Sequence, residues 1–136
     1  MNESIRKVEG IGHEFQKKLA YIGIQDVSEY LVKAQSQEDR DELAKDSEIP
    51  VGYINNWASM LDLTRIEGVG YQYAELLTYV GVRSVEDFRK RNSTRLYHSM
   101  RALNDKNKLT GSIPSVECID QFIMNAKKIT NIVERY

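Results

Sequence analysis

Few residues of this chain could do chemistry, and their spacing narrows the choice. The two histidines, His13 and His98, lie far apart and neither belongs to a metal-spaced cluster. Cys118 sits in the run V-E-C-I-D-Q-F-I-M, where it reads as a small buried apolar residue rather than a nucleophile. Glu38, Asp39, Asp41 and Glu42 read as a solvated helix start, where acids favour the helix dipole, with no base or metal beside them. The phrase G-V-G is not followed by G-K-[ST], so it is not a nucleotide-binding loop. The expectation is a non-enzyme with no cofactor and no metal.

What remains is anion chemistry. Residues 8–12 read V-E-G-I-G and residues 66–70 read I-E-G-V-G, an offset of 58. In a glycine–apolar–glycine turn before a helix, the first glycine permits a special backbone conformation and the apolar residue anchors the turn in the core. The second glycine leaves the outer surface bare. The helix then begins with unpaired N–H groups and the positive end of its dipole outward, a setting suited to phosphate. The candidate nucleic-acid contacts at the first turn are Gly10, Ile11, Gly12, His13, Lys17 and Lys18. Those at the second are Gly68, Val69, Gly70, Tyr71 and Gln72, with the basic cluster Arg89, Lys90, Arg91 and Arg95 near them in sequence. Tyr71, Tyr73, Tyr97 and His98 are the candidates for base stacking. Trp57 and Phe122 read as core anchors.

These turns need elements to hold them, and the elements repeat. Aligning residues 7–30 over 65–88 pairs Glu9, Gly10, Gly12, Leu19, Tyr21, Gly23 and Val27 with Glu67, Gly68, Gly70, Leu77, Tyr79, Gly81 and Val85. Apolar residues Phe15, Leu19, Ile22 and Tyr73, Leu77, Val80 fall on one face of helices predicted over 14–22 and 72–80. Gly23 and Gly81 stand where a left-handed cap is wanted. Asp26 and Ser84 then read as N-caps, with Glu29 and Asp87 in the capping-box position, Asp being the weaker fit. Further helices are predicted over 38–45, 51–63, 93–104 and 115–133, with Ile49-Pro50 matching Ile113-Pro114 at the start of each half's long helix. The expected organisation is a single domain over 1–136, made of pseudo-repeats 5–62 and 63–133.

The motifs V-E-G-I-G-H-E-F-Q-K-K-L and I-E-G-V-G-Y-Q-Y-A-E-L-L resemble the helix-hairpin-helix motifs of DNA ligases, repair glycosylases and junction-binding proteins. That resemblance implies binding of the duplex backbone without sequence preference. The first motif supplies His13, Lys17 and Lys18, while the second has Tyr71, Gln72 and Glu75 in the same region. Hairpin plus Y-I-G-I-Q-D-V, the I-P…W helix, hairpin plus Y-V-G-V-R-S-V and the I-P-S…F helix span nearly the whole chain. That order resembles the family called domain of unknown function 4332. The implied fold is all-α, two helix-hairpin-helix repeats packed as one compact helical domain, a SAM-domain-like helical bundle. The expected function is a non-catalytic module holding duplex DNA or other nucleic acid; the alternative is a protein–protein interaction module with degenerate hairpins.

Composition fits that picture. Hydrophobic residues make up 41% of the chain, enough for a core. No apolar run approaches a membrane span of roughly 18 residues. The N-terminus has no apolar signal core, and the lone cysteine excludes an internal disulfide. A cytoplasmic protein, monomeric or homodimeric, without membrane contact, is expected. The net charge of −1 conceals an imbalance. Residues 1–62 hold 7 Lys+Arg and 12 Asp+Glu, and residues 63–136 hold 12 and 8. Such polarity suits a charged partner or head-to-tail self-association. Finally, the first hairpin lacks a full leading helix, so the last helix, with Phe122, Ile123, Ala126, Ile129, Ile132 and Val133 on one stripe, is expected to lie against the helix over 14–22, within the monomer by preference or else across a dimer.

Overall fold

Among the described residues, each half of the chain forms four helices in the same order, and the caps written into the sequence set most of the boundaries. The computed structural model describes residues 3–8, 10–108 and 111–129. After a single 3-10 turn, Ile5–Lys7, the first half runs α1 (His13–Tyr21), α2 (Val27–Lys33), α3 (Gln37–Ser47) and α4 (Val51–Leu63). The second half runs α5 (Tyr71–Tyr79), α6 (Val85–Phe88), α7 (Ser93–Asn107) and α8 (Val116–Ala126). Among the described residues there is no strand, only an isolated bridge between Ser4 and Asp26. The fold is all-α.

The repeated residues do the same local work in both copies. Gly23 and Gly81 adopt φ of 92° and 96°, the left-handed region where a Cβ is costly. Ile24 N–H then donates to Leu19 O, and Val82 N–H to Leu77 O, both at 2.9 Å, closing the two helix ends in the same motif. Asp26 and Glu29 form a full capping box at α2. Ser84 caps α6 by accepting from Asp87 N–H, but the shorter Asp87 side chain reaches Arg83 N–H, where Glu29 reaches both Gln25 and Asp26. Pro50 occupies the N-cap of α4, just ahead of the helix rather than within its first turn.

Packing repeats as well. α1 packs on α3 and α5 on α7; α2 packs on α4 and α6 on α8; α3 packs on α4 and α7 on α8. The halves join where α4 packs on α5, and the 3-10 turn takes the corresponding place against α1. One core runs through both halves, with Leu19, Tyr30, Ile54, Leu61, Leu63, Leu76 and Phe88 almost fully buried. Trp57 anchors the first half, in edge contact with Phe15 and Tyr30, and the Tyr30 hydroxyl donates to Ile54 O at 2.7 Å. Arg40 is also buried, donating to Asn55 at 3.1 Å and to Ala34 O at 2.8 Å, which ties α3 to α4 and to the end of α2.

Two expectations are corrected here. The final helix does not take α1 as its main partner; it packs on α6 and α7 of its own half, as α4 packs on α2 and α3. Ile119, Ile123 and Ala126 form its buried stripe, with Phe122 and Ile129 half-buried beside them; Ile132 and Val133 lie outside the described residues. Cys118 is exposed, because that stripe turns its neighbour on the helix outward.

Candidate nucleic-acid interface

The two glycine phrases form matched tight turns. Ile11 N–H donates to Val8 O at 3.1 Å, and Val69 N–H to Ile66 O at 3.0 Å. Ile11 and Val69 are buried, so each turn is pinned from beneath. Glu67 is exposed; Glu9 lies outside the described residues. Gly68 has φ of 94°, and a Cβ there would lie 2.5 Å from Phe122 Cε1 on α8, so backbone and packing both demand glycine.

The last helix of each half covers that half's turn. A Cβ on Gly10 would lie 3.2 Å from Met60 Cε of α4. Over the second turn, Phe122 covers Gly68 and Asn125 Nδ2 donates to Glu67 O at 3.1 Å. The far side of each turn is open. Gly12 and Gly70 are the N-caps of α1 and α5, in extended conformations any residue adopts, and a Cβ on either would meet nothing within 4 Å.

Those two helix starts differ from most others in the molecule. Side chains of Asp26, Ser36, Ser84, Asn92 and Ser115 cap α2, α3, α6, α7 and α8. Gly12 and Gly70 make no side-chain cap, so the first amides of α1 and α5 face outward without one. At the first turn, His13, Lys17 and Lys18 are all exposed, and the Lys18 ammonium lies 3.3 Å from Glu48 O. Gln16 Nε2 donates to Ile11 O at 2.7 Å and stiffens the turn.

The second turn is chemically different. Tyr71, half-buried at the first position of α5, donates its hydroxyl to the Glu3 carboxylate. Burial, and secondarily that carboxylate, push the Tyr71 phenol well above its ordinary pKa. Gln72 is exposed. Glu75 of α5 approaches the first turn, with Oε2 3.8 Å from where a Gly10 Cβ would stand. Glu75 thus stands at the first turn, while Glu3 is held against Tyr71 of the second.

The basic cluster divides. Arg89 donates to Ala126 O at 2.9 Å and pairs with Glu86 at 2.7 Å, fastening α6 to the end of α8. Arg91 pairs with Asp87 and donates to Gly81 O, both at 3.0 Å. Lys90 and Arg95 are exposed, Lys90 in a loose pair with Glu86 at 3.5 Å. Among the stacking candidates, Tyr73 and Tyr97 are half-buried against the core, and His98 is exposed with its ring edge-on to Tyr97 at 5.5 Å.

Reading the sequence missed one carboxylate that matters. Asp62 is 1% exposed; it accepts from Val85 N–H at 2.8 Å and pairs with Arg65 at 2.6 Å. Burial raises its pKa above the ordinary carboxylate value, opposed by the Val85 N–H and by Arg65. In the first half the corresponding N–H, that of Val27, goes to Glu3 O at 2.8 Å. An acid inside the apolar run W-A-S-M-L-D-L was the available signal. Glu3 carried none, because its partner Tyr71 is 68 residues away in sequence.

Among the described residues there is no group of three or more His, Cys, Asp or Glu placed to hold a metal, and no helix long and apolar enough to cross a membrane. An all-α chain with two matched glycine turns, each opening an uncapped helix, defines the class. The chain belongs to the family described as domain of unknown function (DUF4332), whose model matches residues 9–129. No curated protein and no solved structure matches it.

Proposed function

We propose that this protein is a non-catalytic helix-hairpin-helix module that holds the backbone of duplex DNA without reading its sequence, mainly through the first turn. The observation that carries this reading is the bare start of α1. Gly12 leaves the first amides of the helix without a side-chain cap, His13 stands at the rim, and Lys17 and Lys18 follow one turn later, all exposed. Amides and ammonium groups of this kind suit phosphate oxygens and carry no base information. The second turn contributes less, because Tyr71 is engaged with Glu3 and the turn is flanked by Glu67. Arg89 and Arg91 serve the fold, which leaves Lys90 and Arg95 as the outlying cations.

So small a set of cations implies weak, strongly salt-dependent binding, since each neutralised phosphate contributes about 0.9 to the slope of log affinity against log salt. The test is a titration of labelled duplexes of unrelated sequence over a range of salt. Binding should be equal on all of them and should fall as salt rises. Lys17→Glu with Lys18→Glu should weaken it equally on every duplex and flatten the slope. Absence of binding at about 50 mM salt, where phosphate contacts are strong, rejects the reading. It would favour the second one, a protein-interaction module, to which the Glu3–Tyr71 closure of the second turn already points.

A further inference from the structure

The third helices of the two halves, α3 and α7, occupy equivalent places but carry opposite charge. α3 packs on α1 and α4 as α7 packs on α5 and α8. On α3 the side chains of Glu38, Asp39, Asp41, Glu42 and Asp46 are exposed against Lys45, while its arginine, Arg40, is buried. On α7, Arg95, Arg101 and Lys106 are exposed against Asp105, and Lys108 follows at the C-cap. Of the helices on which these two pack, α1 and α5 end in the same residue of the repeat. Tyr21, at the end of α1, is 91% exposed, and Tyr79, at the end of α5, is 59% exposed. Tyr79 borders a shallow recess of about 620 Å³ floored by Val80, Leu103 and Lys106.

We propose that these two faces bind one another between copies of this chain, the acidic α3–Tyr21 face of one molecule docking on the basic α7–Tyr79 face of the next. Surface ion pairs alone hold little. The partner is therefore fixed by two features together: complementary charge, which orients the encounter, and an exposed tyrosine facing an apolar recess, which gives it something to bury. The contact joins two different surfaces, so a bound pair still presents one free acidic face, on one copy, and one free basic face, on the other. Assembly then continues past a head-to-tail pair, into a ring where the rotation closes and a filament where it does not. This inference is independent of the DNA reading, and its test contains no nucleic acid.

Sedimentation velocity of the purified chain over a range of concentration decides it. At about 0.01 M salt, where charges are felt over about 30 Å, the mean mass should climb with concentration above the 15.7 kDa of one chain. At about 1 M salt, with a screening length of about 3 Å, it should return to the monomer. Glu42→Lys with Asp46→Lys on α3, or Arg101→Glu with Lys106→Glu on α7, should each abolish association, and an equimolar mixture of the two variants should restore it. Tyr21→Ala should weaken association with no change of charge. A wild-type chain that stays monomeric at every concentration in low salt overturns the proposal, and that arm needs no variant. Association that survives either charge reversal, or a mixture that fails to reassociate, overturns it as well. Circular dichroism checks that the variants fold, and Asp46→Lys and Lys106→Glu alone replace any pair that does not.

Discussion

Asp62 shows how a single side chain substitutes for backbone. In the first half a main-chain carbonyl, that of Glu3, receives the N–H of Val27; in the second a buried carboxylate receives the N–H of Val85. Because burial raises its folded-state pKa above the unfolded one, the folded chain binds this proton more tightly than the unfolded chain. Stability from the group is fully present below the ordinary carboxylate pKa and is lost as pH rises through the raised one. Asp62→Asn keeps an acceptor for Val85 and removes the ionisation. Denaturant unfolding at several pH values should show the variant gaining on wild type as pH rises through that window; a constant difference would contradict the assignment. Asp62→Ala leaves the Val85 amide without its acceptor and should cost about 1–3 kcal/mol. Residue-scale features were legible where one local rule decided them. The left-handed glycines Gly23 and Gly81 and the N-caps Asp26 and Ser84 are of this kind. The Glu3–Tyr71 bond and the exposure of Cys118 were not, since each depends on how distant helices are rotated against one another.

At the scale of elements, the helix closing each half both completes a bundle and roofs a turn. α4 does this with Met60 over Gly10, and α8 with Phe122 over Gly68 and Asn125 on Glu67. The expectation that α8 would cover α1 arose from treating the chain's ends as unmatched. The repeat itself held the better answer, because Trp57 and Phe122 align and α4 packs within its own half. Removing residues 115–136 would strip the burial of Ile119 and Ile123, at about 1.5–3 kcal/mol per large apolar side chain. A whole domain is stabilised by about 5–15 kcal/mol. It would also uncover the second turn and free Arg89 from Ala126. The truncated chain should therefore lose its cooperative thermal transition or aggregate, as read by calorimetry and light scattering. A truncated chain that stays soluble, cooperative and monomeric would make α8 an appendage.

For the molecule as a whole, the duplicated packing builds two turns that are chemically different. The first keeps exposed lysines beside a bare helix start; the second is tied to Glu3 and flanked by acids. The repeat and the all-α architecture were legible because glycine turns, caps and apolar periodicity agree along the chain. The inequality of the turns was only half legible. The missing lysines of the second copy stand in the sequence, but the internal use of Arg89 and Arg91 needs the folded arrangement of α6 and α8. The central claim is that the first turn is where duplex DNA is held. Amide chemical-shift mapping with a short duplex in low salt tests it most directly. Shifts should concentrate at 11–18, with smaller ones at 69–72 and the same pattern for an unrelated duplex. Shifts absent altogether, centred away from both turns, or changing with base sequence would contradict it.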